Sequence, residues 1–539
     1  NILINNNLIH KIGKTGVQIR GNNLSRIDKT IYNTVDNNHI YEVGIKVGHG
    51  SGIEIIGAAY NTISHNRIHD TSRYAIDIKG TPMVDYLIGQ IIDGIKVTED
   101  NVIDFMRAHD NIIEFNDLSN ANLDSQDTSV IESWGGGPNN LIRNNLIHDS
   151  NIPFSFGTGG IYLDDECYKY IVENNIIYNI QTEQSEGEVN QAIYIKGKFN
   201  QVMNNIVANS FVKSAFSTDD DVTNEESGII VERNILYDTN DIYYLQGWSD
   251  TRIKSSENNL YFNNSGTYNI TWDGHVKGPA NSMEIFKTIQ NGKYDQFTKN
   301  EDPLFMDVIN NDLRLQYNSP AYQLGFKDID IQNMGLKADY PFSNQKEDIS
   351  TIYVKEVNSK TDSGTIELKT NESKNLTVLA RTLSGFVDEM KNVQVYYESN
   401  DTTIVKVDSL GKLTGISKGV AIITVTIEKN DKILSKELFV LVDDQVVDLS
   451  IVVSKQTMIP EDTSKFSIIA TTELGRRINY NDQTSFSVSD NSIVEIEDGI
   501  LIAKAIGTTN LIAKLELEGI AKQIELKLNV KENILDGSK

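Results

Sequence analysis

The sequence predicts an all-β chain, a right-handed parallel β-helix over residues 1–336 followed by two β-sandwich modules. Three observations carry that prediction. An asparagine-centred pattern recurs about every 30 residues, short runs of Ile, Val, Leu and Tyr alternate with polar residues between turn formers, and two similar segments lie about 88 residues apart near the end.

The repeat reads apolar, x, x, Asn, x, apolar, His or Tyr. It appears as NNNLIH, DNNHIY, SHNRIH, EFNDLS, RNNLIH, ENNIIY, MNNIVA, ERNILY and SENNLY. Its registering asparagines are Asn7, Asn38, Asn66, Asn116, Asn145, Asn175, Asn205, Asn234 and Asn258, with gaps of 31, 28, 50, 29, 30, 30, 29 and 24. The gap of 50 holds either an insertion or a degenerate coil. Each coil contains two or three short strands separated by Asn, Gly and Asp, which is strand and turn chemistry. Such coils bury their apolar residues by stacking, with strands pairing in parallel along the axis. The asparagine is expected to adopt a left-handed turn conformation and to hydrogen-bond its equivalents above and below. A large sandwich with Asn-rich turns would not keep one asparagine register across nine coils.

The solenoid pattern ends with residues 301–336, and a polar linker over 337–351 precedes modules at 352–444 and 445–532. The modules contain NDTTIVKVDSLGKLTGISKG and SDNSIVEIEDGILIAKAIG, in which Gly411 maps to Gly499 and Gly419 to Gly507. Short alternating strands at this interval are sandwich chemistry. Both segments resemble bacterial immunoglobulin-like group 2 domains. That resemblance implies extracellular spacing or adhesion, with the modules contacting a cell surface or a glycan.

Composition narrows the function classes. The 539 residues carry 75 acidic against 49 basic side chains, a formal charge of -26. Nucleic acid and anionic membranes require clustered Lys and Arg, and the chain has no such cluster. No apolar run reaches about 18 residues, so no membrane insertion is expected. One cysteine, Cys167, excludes intramolecular disulfides and thiolate cages and reads as a packing residue. Because Asn1 falls inside a strand repeat, the chain is expected to be a fragment with coils or a leader upstream.

One strand of each coil can be aligned by pattern: GVQIRG (16–21), AIDIKG (75–80), VIESWG (130–135), GIYLDD (160–165) and AIYIKG (192–197). Ile19, Ile78, Leu163 and Ile195 then point inward. One outward column reads Gln18, Asp77, Glu132, Tyr162, Tyr194, and the next reads Arg20, Lys79, Trp134, Asp164, Lys196. Carboxylates, lysines and aromatic rings thus gather on one solvent-facing sheet. A glycan groove uses this mixture: hydrogen bonds to hydroxyls, rings for the apolar sugar faces, and two carboxyl groups as acid and as base or nucleophile. Glu132 and Asp164 fall on neighbouring coils, roughly 8 Å apart at Cα. The adjacent Asp164 and Asp165 repel, which should raise one pKa toward that of a general acid.

The segments DSQDTSVIESWGGGPNNLIRNNLIHDS and FGTGGIYLDDECYKYIVENNIIYN resemble the core of the pectin-lyase-like β-helix glycoside hydrolases, which act on xylosides, fucosides or galactosides. That resemblance implies a secreted or cell-surface glycosidase whose catalytic residues come from Asp127 in the first segment and Asp164 or Asp165 in the second. SPAYQLGFKDIDIQNMGL is similar to the family's terminal coil. The pattern departs at VIESW, where Glu132 stands at the usual tyrosine position, as a third carboxylate or a replacement for Asp127.

Trp134, Tyr162, Tyr194, Lys79, Lys196 and Asp77 are candidate substrate contacts, each weighed against a packing or surface role. Asp124 reads as a turn residue. His10, His69 and His148 share a repeat position and read as stacked structural side chains, so no metal centre is expected. The acidic run STDDDVTNEESG (217–228) offers oxygen ligands for Ca²⁺ without the spacing of a dedicated loop and reads as a solvated loop. Two alternatives to the hydrolase stay open: a polysaccharide lyase using Lys79, Lys196 or Arg73, and a non-catalytic glycan-binding adhesin.

Overall fold

Alternation of apolar and polar residues gives three short strands per coil, each paired in parallel with its counterpart one coil on. The computed structural model describes residues 1–22, 25–81, 84–152, 158–182, 191–210, 214–218, 227–239, 241–245, 252–266, 269–272, 276–277, 283–288, 292–342, 347–357, 359, 363–388, 390, 393–517 and 520–532. Among these residues the three solenoid sheets hold nine, ten and ten strands. The first runs from Leu3–Asn5 to Ile253–Glu257, the second from Leu8–Ile12 to Lys299–Asn300, and the third from Val17–Arg20 to Val276–Lys277. This is the stacked architecture of a parallel β-helix. Ile19, Ile78, Leu163 and Ile195 are buried in the bore, with Val35, Ile63, Ile113 and Ile142 facing them from the first sheet. Each such side chain contributes roughly 1.5–3 kcal/mol.

Asparagine ladders hold the coils in register. Asn116 Nδ2 donates to Asn145 Oδ1 at 2.9 Å, and Asn145 repeats the bond to Asn175 at 3.0 Å. The ladder ends on Asn259, whose Oδ1 accepts from Asn234, so Asn258 is not the registering residue. The left-handed conformation also falls elsewhere than expected. It belongs to the residue before each ladder position, Asn6, Asn37, His65, Phe115, Asn144, Asn174, Asn204, Arg233 and Asn258, at φ between 51 and 58°. Two jobs assigned to one asparagine are thus split between neighbours: one turns the chain, the next bonds along the axis. A second ladder, Asn33, Asn61, Asn111 and Asn140, lies at another corner.

The long gap is an insertion and not a degenerate coil. Asn66 bonds directly to Asn116, and Thr62 pairs with Ile112, so residues 66 and 116 are axial neighbours. The extra chain lies between Ile76–Lys79 and Ile112–Glu114 and packs its own small core from Leu87, Val97 and Phe105. His10, His69 and His148 do share one column, with Tyr41 and Ser119 between them. Tyr41 stacks on His10 at 5.0 Å and on His69 at 5.2 Å.

After the hairpin of Phe305–Asp307 with Asp312–Leu315 the chain turns back along the solenoid. Lys327 exchanges two hydrogen bonds with Asn204 at 2.8 and 2.9 Å. Gly335 N–H donates to Phe115 O at 2.7 Å, Lys337 N–H to Asn37 Oδ1 at 2.8 Å, and the Tyr340 hydroxyl to Asn7 O at 3.1 Å. Residues 327–340 therefore form a strap running from the seventh asparagine turn to the first, along the left-handed corner.

Residues 349–442 and 446–530 then form two units, each with a five-stranded and a four-stranded mainly antiparallel sheet in the same order, consistent with β-sandwiches. Both lie against the solenoid. Arg381, 5% exposed, donates to the carbonyls of Gln332, Leu336 and Gly385, each at 3.0 Å. Lys465 reaches Glu257 at 2.6 Å. Among the described residues no helix is long and apolar enough to cross a membrane. Residues 219–226, which hold the acidic side chains considered for Ca²⁺, lie outside the described residues.

Candidate functional site

Register in the third sheet places Gln18, Glu54, Asp77, Glu132, Tyr162 and Tyr194 in one column. Sequence alignment had passed from Gln18 to Asp77 and missed the strand Ile53–Ile56. Its signal was present as GIEIIG (52–57), one coil before AIDIKG. Three carboxylates, Glu54, Asp77 and Glu132, therefore stand on successive coils, about 4.8 Å apart by strand spacing.

Beyond exposed Gln18 the column points away from the bore but is not solvent-facing, which corrects the expectation. Glu54 is 8% exposed, Asp77 0% and Glu132 3%. The turn before Ile76–Lys79 folds Tyr74 over the sheet, where its hydroxyl donates to Glu132 Oε1 at 2.9 Å. The Arg73 guanidinium covers the Tyr74 ring at 4.6 Å. Lys79 closes the other side, 3.0 Å from Asp77 Oδ2 and 3.8 Å from Glu54 Oε1. Tyr74 and Glu54 are the residues that sequence reasoning missed. Tyr74 lies in a turn outside every repeat pattern and carried no signal.

Burial dominates the electrostatics. It pushes Asp77 up to about 7 against the pull of Lys79. It raises Glu132 well above the usual carboxylate range, with Asp77 and Asp164 adding like-charge repulsion. Asp164 is also raised, mainly by burial and only slightly by Asp165, while Lys196 and a hydrogen bond from the Tyr162 hydroxyl oppose the shift. The expected rise is present, but desolvation outweighs the Asp-Asp repulsion.

Asp164 is the member of this group that reaches the surface. It follows the strand Thr158–Leu163, is held in register by its N–H to Ser133 O at 2.7 Å, and keeps 13% side-chain exposure. The Lys196 ammonium lies 3.0 Å from Asp164 and 2.9 Å from Asp165. It sits 5.6 Å over the rings of both Tyr162 and Tyr194, which stack at 4.6 Å. Burial lowers the Lys196 pKa, but the two carboxylates raise it further, so it stays protonated. Half-buried Trp134 points Nε1 at Asp165 Oδ2, 3.4 Å away.

Asp127 is placed differently. It precedes the strand Thr128–Trp134 in a left-handed conformation, is exposed, and accepts from Arg73 at its backbone carbonyl, 2.9 Å away. Thr128 is level with Thr158, so Asp127 and Asp164 leave the paired strands at opposite ends, while the Asp127 charge acts on the Tyr162 hydroxyl that bonds Asp164. Glu132, level with Tyr162, is the carboxyl group near Asp164. Asp124 is an exposed turn residue whose N–H donates to Ser72 O at 2.9 Å. Cys167 is fully buried and packs against Ser133 O. A cavity of about 440 Å³ lies elsewhere, between the second sheet, the strap and the first sandwich; Arg67, His148 and Arg381 line it.

No protein-family model matches the chain, and no curated protein matches it. Among solved structures the chain is similar to one described as a glycoside hydrolase, at 12% identity and a TM-score of 0.24, over 45% of this chain and 31% of that one. It is also similar to surface layer protein SbsC, domains 1–6, at 15% identity and a TM-score of 0.17, over 34% of this chain and 28% of that one. A third likeness is to human protocadherin-24 EC1-2, at 12% identity and a TM-score of 0.16, over 31% and 94% of the two chains. The chain spans less than a third of the first two structures' length. Its function is read from the site.

Proposed function

We propose that the chain hydrolyses glycosidic bonds of a plant or host glycan at the third sheet, outside the cell or on its surface. The observation that carries this reading is Asp164: a surface-reaching carboxyl with a raised pKa, oriented by Tyr162 and Lys196, with buried Glu132 on the adjoining coil. A carboxylic acid that keeps its proton toward neutral pH can protonate a leaving glycosidic oxygen. Asp165, bound by the same ammonium and by Trp134, is the second surface carboxylate and the candidate base or nucleophile. Trp134 supplies an apolar face for a sugar ring. The lyase reading needs a neutral base, and Lys196 is held protonated by two carboxylates. A screen of defined glycans for reducing-sugar release tests the proposal. Release lost in Asp164→Asn supports it, whereas growth of an unsaturated-uronate absorbance indicates a lyase and binding without turnover indicates an adhesin.

A further inference from the structure

Asp77 and Glu132 are directly opposed on paired strands, and both are more than nine-tenths buried. Tyr74 donates to Glu132 Oε1, and the Lys79 ammonium lies 3.0 Å from Asp77 Oδ2. Glu132 Oε2 and both Asp77 carboxylate oxygens have no hydrogen-bond partner among the described residues. Two buried ionised carboxylates on adjacent strands can only accept hydrogen bonds, so each would leave an orphaned oxygen facing a like charge. One proton resolves this, because a protonated carboxyl both donates and accepts.

We propose that Asp77 and Glu132, opposed on paired strands, share a single proton, with Tyr74 and Lys79 as positioning residues for the two carboxyl groups. The pair then carries one negative charge instead of two. The Lys79 ammonium pairs with Asp77, and Tyr74 donates to Glu132 Oε1, which leaves Oε2 as the oxygen of Glu132 that carries the proton. The other groups facing the pair are Glu54 from the preceding coil, Arg73 on the Tyr74 ring, and Asp164 from the following coil. Burial raises both members, in agreement with the retained proton. The bearing of this pair on catalysis rests on the glycosidase reading: holding it at one charge limits its repulsion of Asp164 and so sets the pH at which Asp164 loses its proton.

Infrared titration of the purified full chain tests the pair without turnover. A protonated-carboxyl signal of the pair is expected at neutral pH, recognised as the part of the spectrum that changes in both Glu132→Gln and Asp77→Asn and stays unchanged in Asp164→Asn. In Tyr74→Phe the anion loses a donor, so the band's titration midpoint moves up by about one pH unit. Lys79→Met moves it upward as well. If Glu132→Gln does not fold, the shifts in Tyr74→Phe and Lys79→Met still decide. No pair-specific carboxyl signal at pH 7, or one unmoved in both of these variants, overturns the shared proton. A correct band in a chain that cleaves no glycan would refute the hydrolase reading and leave the pair standing.

Discussion

The Lys196 ammonium lies 3.0 Å from Asp164 Oδ1, close enough to oppose the effect of burial on that carboxyl. Asp164→Asn is expected to lower kcat by about 10²–10⁴ with little change in melting temperature. Lys196→Met removes the cation that favours the Asp164 anion, so its pKa rises further. For a general acid the alkaline limb of the pH–rate profile then moves to higher pH. Initial rates of reducing-sugar release across pH check both outcomes, and an unmoved limb removes Asp164 from the acid role.

Asp77 gives the fold a pH dependence of definite sign. Its pKa is about 7 in the folded chain and about 3.9 in an unfolded one. The native state therefore holds a proton that the unfolded state releases. The contribution is complete below about pH 4 and is lost as pH rises toward 7, an effect of at most about 4 kcal/mol. Urea unfolding of wild type and Asp77→Asn over this window should show the difference shrinking as pH falls.

Asn145 accepts the backbone N–H of Asn116 and donates through Nδ2 to the ladder and to Ile113 O, all without solvent. Asn145→Ala strands several buried groups and should cost about 2–4 kcal/mol. Asn144→Gly, at φ 51°, should cost little because glycine adopts that conformation freely. Equilibrium denaturation of the two variants checks the division of labour between neighbouring asparagines.

Arg381 joins the first sandwich to the strap through Gln332 O and Leu336 O. Arg381→Met leaves those carbonyls without their charged donor and should cost about 3 kcal/mol. Calorimetry should then resolve the sandwich as an earlier, separate transition, whereas one unchanged transition would show that other contacts suffice.

The coil repeat was legible because stacking imposes the same demand at every turn, and the asparagine register follows from that demand. The choice between Asn258 and Asn259 was not, since both stand in the motif and only the axial hydrogen bond distinguishes them. Alternation correctly separated Ile78 from Asp77. It could not show that Asp77 is roofed, because period two reports direction from the bore and not what folds over the outside. The roof comes from Tyr74 and Arg73, in a turn that obeys no repeat. Motif resemblance set Asp127 and Asp164 on adjacent coils but could not give the length of strand between the two positions.

The strap also changes what kind of polymer the solenoid is. A stack whose coils touch only their neighbours behaves as a one-dimensional array and can fray from either end. Hydrogen bonds from Lys327 to Asn204 and from Tyr340 to Asn7 close that array into a loop. The coil that carries Asn7 cannot separate from its neighbours without releasing a chain segment anchored six turns further on. Resistance to proteolysis is then a property of the closed circuit and not of any one coil.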